Sequence, residues 1–231
     1  MPAGVVMAMK AAAVHPQARD GWARARLLAW SALAGVIGYV AIDALLAFLR
    51  PSYSLIYNAE SDYGRGPWFW VMDLNFLLRC ALSLAIVGAL ARVTRPGGLA
   101  RGGRVLLVIW AVCSGLLAFF ADDLEGQAVT VSGIVHLALA LIAFPCVAVG
   151  TILISSSLRS DPAWRSAGAV LLVVSVAGAA AFLLLGTAFG HQHAPGGLYE
   201  RIFLGLQLLW IALAACFILA RRSPSNHPGY G

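Results

Sequence analysis

Charged residues are scarce in this sequence, which excludes most classes of water-soluble protein. Only 11% of the 231 residues are charged, whereas a soluble domain has about 25%. The apolar residues, 61% of the chain, occur in uninterrupted blocks of about 20, the length that a helix needs to cross a bilayer. This pattern predicts a polytopic integral membrane protein.

The sequence also lacks the features of disulfide-bonded and nucleic-acid-binding proteins. No CxxC pair is present, and every cysteine lies inside an apolar block, so the cysteines are interpreted as small buried hydrophobic residues. The net charge of +6 comes from short clusters between apolar blocks, not from a basic face interleaved with aromatic residues. We therefore expect no nucleic-acid partner. The cysteines are Cys80, Cys113, Cys146 and Cys216.

Six apolar blocks, separated by turns rich in proline and glycine, predict an all-α bundle of six transmembrane helices. No loop between them is long enough to form a soluble domain. We expect one membrane domain at residues 26–221, an N-terminal tail at 1–25 and a C-terminal tail at 222–231. The predicted spans are Leu27–Leu49, Trp68–Ala91, Val105–Ala121, Ser132–Leu158, Ala167–Phe189 and Leu198–Ala220.

The distribution of charge predicts the orientation of this bundle. Basic residues concentrate at the ends of the spans that lie on the same side as both termini, and the positive-inside rule makes that side cytoplasmic. Most acidic residues fall on the opposite side. We therefore expect a multi-pass protein of the cell membrane with cytoplasmic termini. The basic residues are Lys10, Arg19, Arg24, Arg26, Arg92, Arg95, Arg101, Arg104, Arg159, Arg165, Arg221 and Arg222; the acidic ones are Glu60, Asp62, Asp122, Asp123, Glu125 and Glu200.

Ionisable and polar side chains occur inside the spans, where they are costly and usually face the interior of a bundle. Their positions along the helices place most of them in the outer half of the membrane, which predicts a polar cavity open to the outside. Arg79 is expected to pair with Asp73 or Asp43. Two interpretations stay open: a structural ion-pair network, or a ligand-binding or catalytic pocket. The residues are Asp43, Asp73, Asn75, Arg79, His136, Glu200 and Arg201.

Three histidines are the candidates for a metal site, although no metal is predicted. His136, His191 and His193, with Asp122 or Asp123, offer the nitrogen and oxygen ligands that zinc takes. The Ser132-x-x-x-His136 pair is similar to intramembrane metal hydrolases of the alkaline ceramidase type. The sequence departs from those enzymes because the later pair is His-x-His in a loop rather than His-x-x-x-His on a helix.

Three short motifs, in order along the chain, resemble the bacterial and archaeal multi-pass membrane family catalogued as domain of unknown function 998. They are Ser61-Asp62-Tyr63-Gly64-Arg65-Gly66-Pro67-Trp68, then Asp122 followed by Ser132-Gly133-Ile134-Val135-His136, and Gly197-Leu198-Tyr199-Glu200-Arg201 with Trp210. The resemblance implies a multi-pass membrane fold and no established activity. The sequence departs from the family at Asp122-Asp123-Leu124-Glu125-Gly126, which replaces a proline-rich outer segment.

The sequence leaves three classes of function open. In the first, the outward-facing pocket binds or processes a lipid or small amphipathic molecule, with His136, Asp122 and Asp73 as catalytic candidates. Ligand-binding candidates are Asp43, Asn75, Arg79, Glu200 and Arg201. The second class is a small transporter or channel, and the third is an accessory subunit without catalytic activity. The bilayer is the expected environment, a protein partner or a second copy stays open, and no motif identifies a cofactor.

Overall fold

The fold is an all-α bundle, as the sequence predicts. The computed structural model describes residues 16–124, 126–188, 191 and 194–221, with side chains from residue 20 onward. It contains six helices long and apolar enough to cross a membrane, and no strand in the described part of the chain. The helices are α1 (Pro16–Leu49), α2 (Phe69–Val93), α3 (Gly98–Leu117), α4 (Val131–Ser160), α5 (Arg165–Ala188) and α6 (Gly196–Ala220).

Helix boundaries differ from the predicted spans in two situations. Some helices extend into polar residues, and one apolar segment is not helical. The helix α1 begins at Pro16, inside the predicted tail, and α3 begins at Gly98, before the predicted start at Val105. Hydropathy does not identify these first turns as parts of the helices, because they contain arginines. In contrast, α3 ends at Leu117, and the apolar run that follows it is turn and loop. Residues 1–15 and the predicted tail at 222–231 lie outside the described residues.

The six helices form a closed ring. Each helix packs against the next one along the chain, α6 returns to pack against α1, and α2 contacts α6 across the interior. The end of the ring at which α1 begins and α6 ends is called here the proximal end. There Arg26 of α1 donates to the carbonyls of Leu219 (2.8 Å) and Arg221 (3.2 Å). These bonds satisfy carbonyls that the end of α6 leaves without helical partners.

Close packing of the ring depends on small residues. A Cβ on Gly35 of α1 would stand 2.7 Å from Cβ of Leu82 on α2, and one on Gly103 of α3 would stand 2.7 Å from the Gly150 carbonyl oxygen of α4. In lipid, helices associate through such close van der Waals contact because apolar burial provides little driving force. The ring thereby holds its interior side chains at defined positions.

The opposite end, called the distal end, is where α1, α3 and α5 end and α2, α4 and α6 begin. A short 3-10 helix, Glu60–Gly64, lies here between α1 and α2, and all five of its residues are buried. The backbone N–H of Leu198 donates to the Ile56 carbonyl at 2.9 Å, which joins this connection to the start of α6. The distal connections therefore fold into the mouth of the ring.

Candidate functional site

A cavity of about 280 Å³ lies at the distal end of the ring. Residues of α2, α3, α4, α5 and α6 and of the α1–α2 and α3–α4 connections form its wall. The polar side chains of this wall are Tyr57, Ser61, Arg79, Asp122, His136 and Glu200. Its apolar side chains include Phe76, Leu117, Leu137, Ala140, Phe144, Leu185 and Ala188.

His136 and Asp122 meet in the wall of this cavity. The Nδ1 atom of His136 lies 2.7 Å from the Phe120 carbonyl oxygen, which can only accept, so Nδ1 carries the hydrogen. Its Nε2 atom lies 3.7 Å from Oδ2 of Asp122, and the same Oδ2 accepts a hydrogen bond from Ser61 Oγ at 2.8 Å. A loop carbonyl thus orients the ring towards the carboxylate.

Arg65 anchors the loop that carries Asp122. Its guanidinium donates to the backbone carbonyl of Asp122 and, at 3.0 Å, to Oδ1 of Asp123. The Asp123 carboxylate also accepts the N–H and the hydroxyl of Thr130, both at 2.8 Å. These two bonds, together with the charge of Arg65, lower the pKa of Asp123. Thr130 in turn caps α4 by accepting the Gly133 N–H at 3.1 Å.

A second polar network, formed by Tyr39, Glu60, Arg79 and Glu200, extends from the cavity into the bundle. Glu200 Oε2 accepts the backbone N–H of Glu60 at 2.8 Å, and the Glu60 side chain accepts the Tyr39 hydroxyl hydrogen. Arg79 donates to the same hydroxyl at 3.2 Å. Because all four side chains are buried, their charges act on one another with little screening.

Burial dominates the protonation of the acidic groups in the connection between α1 and α2. It raises the pKa of Glu60 to about 7, with a further increase from the nearby charge of Asp43 and an opposing effect from Arg79. Burial also raises the pKa of Asp62, against the hydrogen bond from Asn58. Glu60 therefore titrates near neutral pH.

The structure brings together four of the predicted site residues at the cavity, and four further candidates do not line it. His136, Asp122, Arg79 and Glu200 line the cavity. The candidates Asp43, Asp73, Asn75 and Arg201 do not belong to its lining.

The four candidates outside the cavity lie in different environments. Arg201 donates to the carbonyls of Asn58 (2.7 Å) and Gly197 (3.1 Å), so it anchors the α1–α2 connection to α6. Asn75 is completely buried, and its amide atoms have no hydrogen-bond partner among the described residues. Asp43 is half-buried on α1, and its Oδ1 has no hydrogen-bond partner among the described residues. Asp73 is half-buried on α2.

Arg79 is held differently from the sequence prediction. Within the described residues no carboxylate lies within 4.0 Å of its guanidinium, so it forms no direct ion pair with Asp73 or Asp43. Instead it donates to Ser114 Oγ and Tyr39 OH, both at 3.2 Å. Its guanidinium carbon also lies 4.9 Å from the centroid of the Trp110 ring. Hydroxyl groups and aromatic faces replace the expected carboxylate.

The described residues contain no group of three or more metal-ligating side chains that could hold an ion. His136 is buried beside Asp122, His191 is exposed in the α5–α6 connection, and His193 lies outside the described residues. The candidate set therefore stays untested at His193, and its described members do not form such a group.

Sequence reasoning did not identify Ser61, Glu60, Tyr39 or the Phe120 carbonyl as parts of the site. Ser61 belongs to the first family motif, and Glu60 directly precedes that motif. Tyr39 lies four residues before Asp43 and so shares its helix face. The Phe120 carbonyl carries no signal, because its position depends on the end of α3 three residues earlier.

The chain belongs to the family described as "Protein of unknown function (DUF998)", which matches residues 32–216. The match extends from α1 to α6 and includes all three motifs that the sequence shares with this family. Neither a curated protein nor a solved structure matches the chain. Membership in the family therefore agrees with the membrane-bundle fold, and it does not indicate which activity the protein has.

Proposed function

We propose that this member of the family binds a small amphipathic molecule of the membrane in its distal cavity. The polar group of the ligand would contact Asp122, His136 and Glu200, and its apolar part would lie against the wall that includes Leu137 and Phe144. The observation that carries this proposal is one cavity lined mainly by apolar side chains together with a few polar ones, the usual composition of a ligand site.

The size of the cavity limits what it can hold. Drug-sized ligands occupy pockets of about 300–1,000 Å³, and this cavity has about 280 Å³. A two-chain phospholipid therefore does not fit inside as a whole. A small single-chain amphiphile, or one head group with the first part of its chain, matches the volume.

The polar side chains of the wall favour a ligand that donates hydrogen bonds. In the neutral imidazole, Nδ1 of His136 carries the hydrogen and Nε2 is an acceptor. Nε2 and Asp122 Oδ2 are then two acceptors 3.7 Å apart. An amino group between them could donate to both, and a hydroxyl group could donate to one of them. The same geometry suits His136 as an acid or base towards that group, with Asp122 as its partner.

The apolar side chains of the wall reach the lipid-facing surface. Leu137 lines the cavity and keeps 45% of its surface exposed on the outer face of α4. A chain that continues past Leu137 would stay in the hydrocarbon, so the ligand need not be buried completely. By the positive-inside rule, the cavity would lie in the outer leaflet of the cell membrane.

The proposal is tested by identifying what copurifies with the protein in lipid nanodiscs, using mass spectrometry. Ala140→Phe adds a ring to the cavity wall, and the control Ala138→Phe adds the same ring to an exposed position two residues away that does not line the cavity. We expect a defined hydroxyl- or amino-bearing amphiphile with the wild type and the control, and a several-fold smaller amount with Ala140→Phe.

A polar substitution separates binding in the cavity from general association with lipid. Asp122→Asn removes the acceptor charge next to His136 and should release the same molecule, while annular lipids stay unchanged. Equal amounts in all four proteins, or the absence of any enriched molecule, would refute the proposal.

A further inference from the structure

Three phenylalanine rings form the floor of the distal cavity. Phe144 lines the cavity, and the Phe203 ring packs against it at a centroid distance of 5.0 Å and against Phe182 at 5.5 Å. Phe203 is completely buried. The three rings therefore connect α4, α5 and α6 next to the cavity.

Gln207 lies one turn beyond this floor, in the middle of the membrane-spanning bundle. It follows Glu200 by about 10 Å along α6, and only 2% of its surface is exposed. Neither its Oε1 nor its Nε2 has a hydrogen-bond partner among the described residues. A buried amide without partners is costly in hydrocarbon, so this side chain requires an explanation.

The adjacent helix, α5, has a glycine at the position that faces the Gln207 amide. Nε2 of Gln207 sits directly over Gly178 of α5, where any Cβ would clash with it. The glycine thus leaves room for the amide at the α5–α6 contact. If an apolar side chain stood in place of the amide, the contact between α5 and α6 would not require a glycine, because alanine or a larger residue could fill the space.

Neutral hydrogen-bonding side chains lie next to Trp210, which is one helical turn from Gln207 on α6. Trp210 follows Gln207 by three residues and donates from Nε1 to Ser155 Oγ at 2.9 Å. Ser155 Oγ is 3.1 Å from Ser175 Oγ, and each hydroxyl also donates to a carbonyl of its own helix, at 2.7 and 2.8 Å. The hydroxyl oxygens therefore keep lone pairs that can accept another donor.

We propose that Gln207, Ser155, Ser175 and Trp210 form a second, membrane-buried site that binds water, separated from the distal cavity by Phe203. The amide offers one acceptor and two donors, and the serines offer acceptors, which together match water molecules. None of the four side chains is charged, so an ion would lack a counter-charge there. The bundle then contains two polar compartments divided by one aromatic layer.

The test is hydroxyl-radical footprinting by synchrotron X-rays on the full chain in lipid nanodiscs, in which radicals formed from bound water label adjacent side chains. Trp210 is completely buried, and we nevertheless expect it to be labelled. Gln207→Leu should lower the labelling of Trp210 several-fold and leave that of Trp110 unchanged. Trp110 is the internal reference because it is also buried and bonds a different serine, Ser83, at 3.1 Å.

Two further variants keep the test decisive if Gln207→Leu does not fold. Gly178→Ala displaces the amide without changing its chemistry and should also lower the labelling of Trp210. Phe203→Ala removes the floor and should raise it. No labelling of Trp210 in the wild type, or labelling that none of the folded variants changes, would overturn the proposal. Gln207 and Gly178 do not line the distal cavity, so the results with Gln207→Leu and Gly178→Ala do not depend on ligand binding there.

Discussion

Replacing Arg79 by methionine should destabilise the protein because it removes hydrogen bonds to hydroxyl groups. No direct ion pair is lost. The Arg79 side chain is 3% exposed and donates to Tyr39 OH and Ser114 Oγ. The Tyr39 hydroxyl in turn donates to Glu60. Arg79 and Glu60 are thus coupled through one oxygen atom, and Arg79→Met would leave the buried acid without its compensating charge.

The expected magnitude follows from these contacts. A hydrogen bond from a charged donor contributes about 1.5–3 kcal/mol, and Arg79 makes two. Removal of one member of a buried charged network typically costs about 3–5 kcal/mol. We therefore expect Arg79→Met to lower the free energy of unfolding by about 3–5 kcal/mol. Adding Glu60→Gln should restore about 1–3 kcal/mol of this loss, a coupling typical of residues in one network.

The assay is a double-mutant cycle on the free energy of unfolding, measured by steric trapping in bicelles. The matched control pairs Arg79→Met with Asp73→Asn, because Asp73 lies on the same helix and forms no ion pair with Arg79. Its coupling should stay below about 0.5 kcal/mol. A Tyr39→Phe background should abolish the coupling between Arg79 and Glu60.

Two results would refute this reasoning. Additive losses for Arg79→Met and Glu60→Gln would show that the Tyr39 hydroxyl does not connect them energetically. A coupling with Asp73 larger than that with Glu60 would restore the ion pair that the sequence predicts.

Three further predictions concern the loops and the orientation. Gly133→Ala places a Cβ against the Asp123 carboxylate and should cost about 1–3 kcal/mol in chemical unfolding; Gly205→Ala, which meets nothing within 4 Å, should be neutral or stabilising by up to about 1 kcal/mol. Glu60 has a pKa raised from 4.5 to about 7, so the folded state holds the extra proton and stability should fall by about 3 kcal/mol between pH 4.5 and 7. That decline should flatten in Glu60→Gln. In a variant without native cysteines, Arg101→Cys should react with impermeant thiol reagents only from the cytoplasm; labelling of intact cells would reverse the predicted orientation.

The fold could be predicted from the sequence because the bilayer imposes a length and a composition on each spanning helix. The apolar blocks identified all six helices, and the errors lie at their ends. At the start of α3, Arg101 and Arg104 lowered the hydropathy of turns that are nevertheless helical. A helix end depends on backbone hydrogen bonds, and hydropathy does not measure these.

The site could be predicted only in part. Depth along the helices and the three motifs correctly placed His136, Asp122 and Glu200 near one another, because residues at equal depth in a small ring must be close. The same reasoning also admitted Asp73, which is half-buried away from the cavity lining. Depth does not determine the direction in which a side chain points around its helix, and that direction decides membership of a cavity.

The departure of the Asp122–Gly126 segment from the family pattern has a physical counterpart in the structure. A proline-rich loop is held by its restricted backbone. In this chain Asp123 holds the loop instead, since it accepts two hydrogen bonds from Thr130 and one from Arg65. Arg65 belongs to the first motif and Thr130 caps the helix that carries His136. The segment that replaces the proline-rich loop thus keeps Asp122 next to His136 through polar contacts between two motifs. A change at Asp123 should therefore disturb the candidate site as much as the loop.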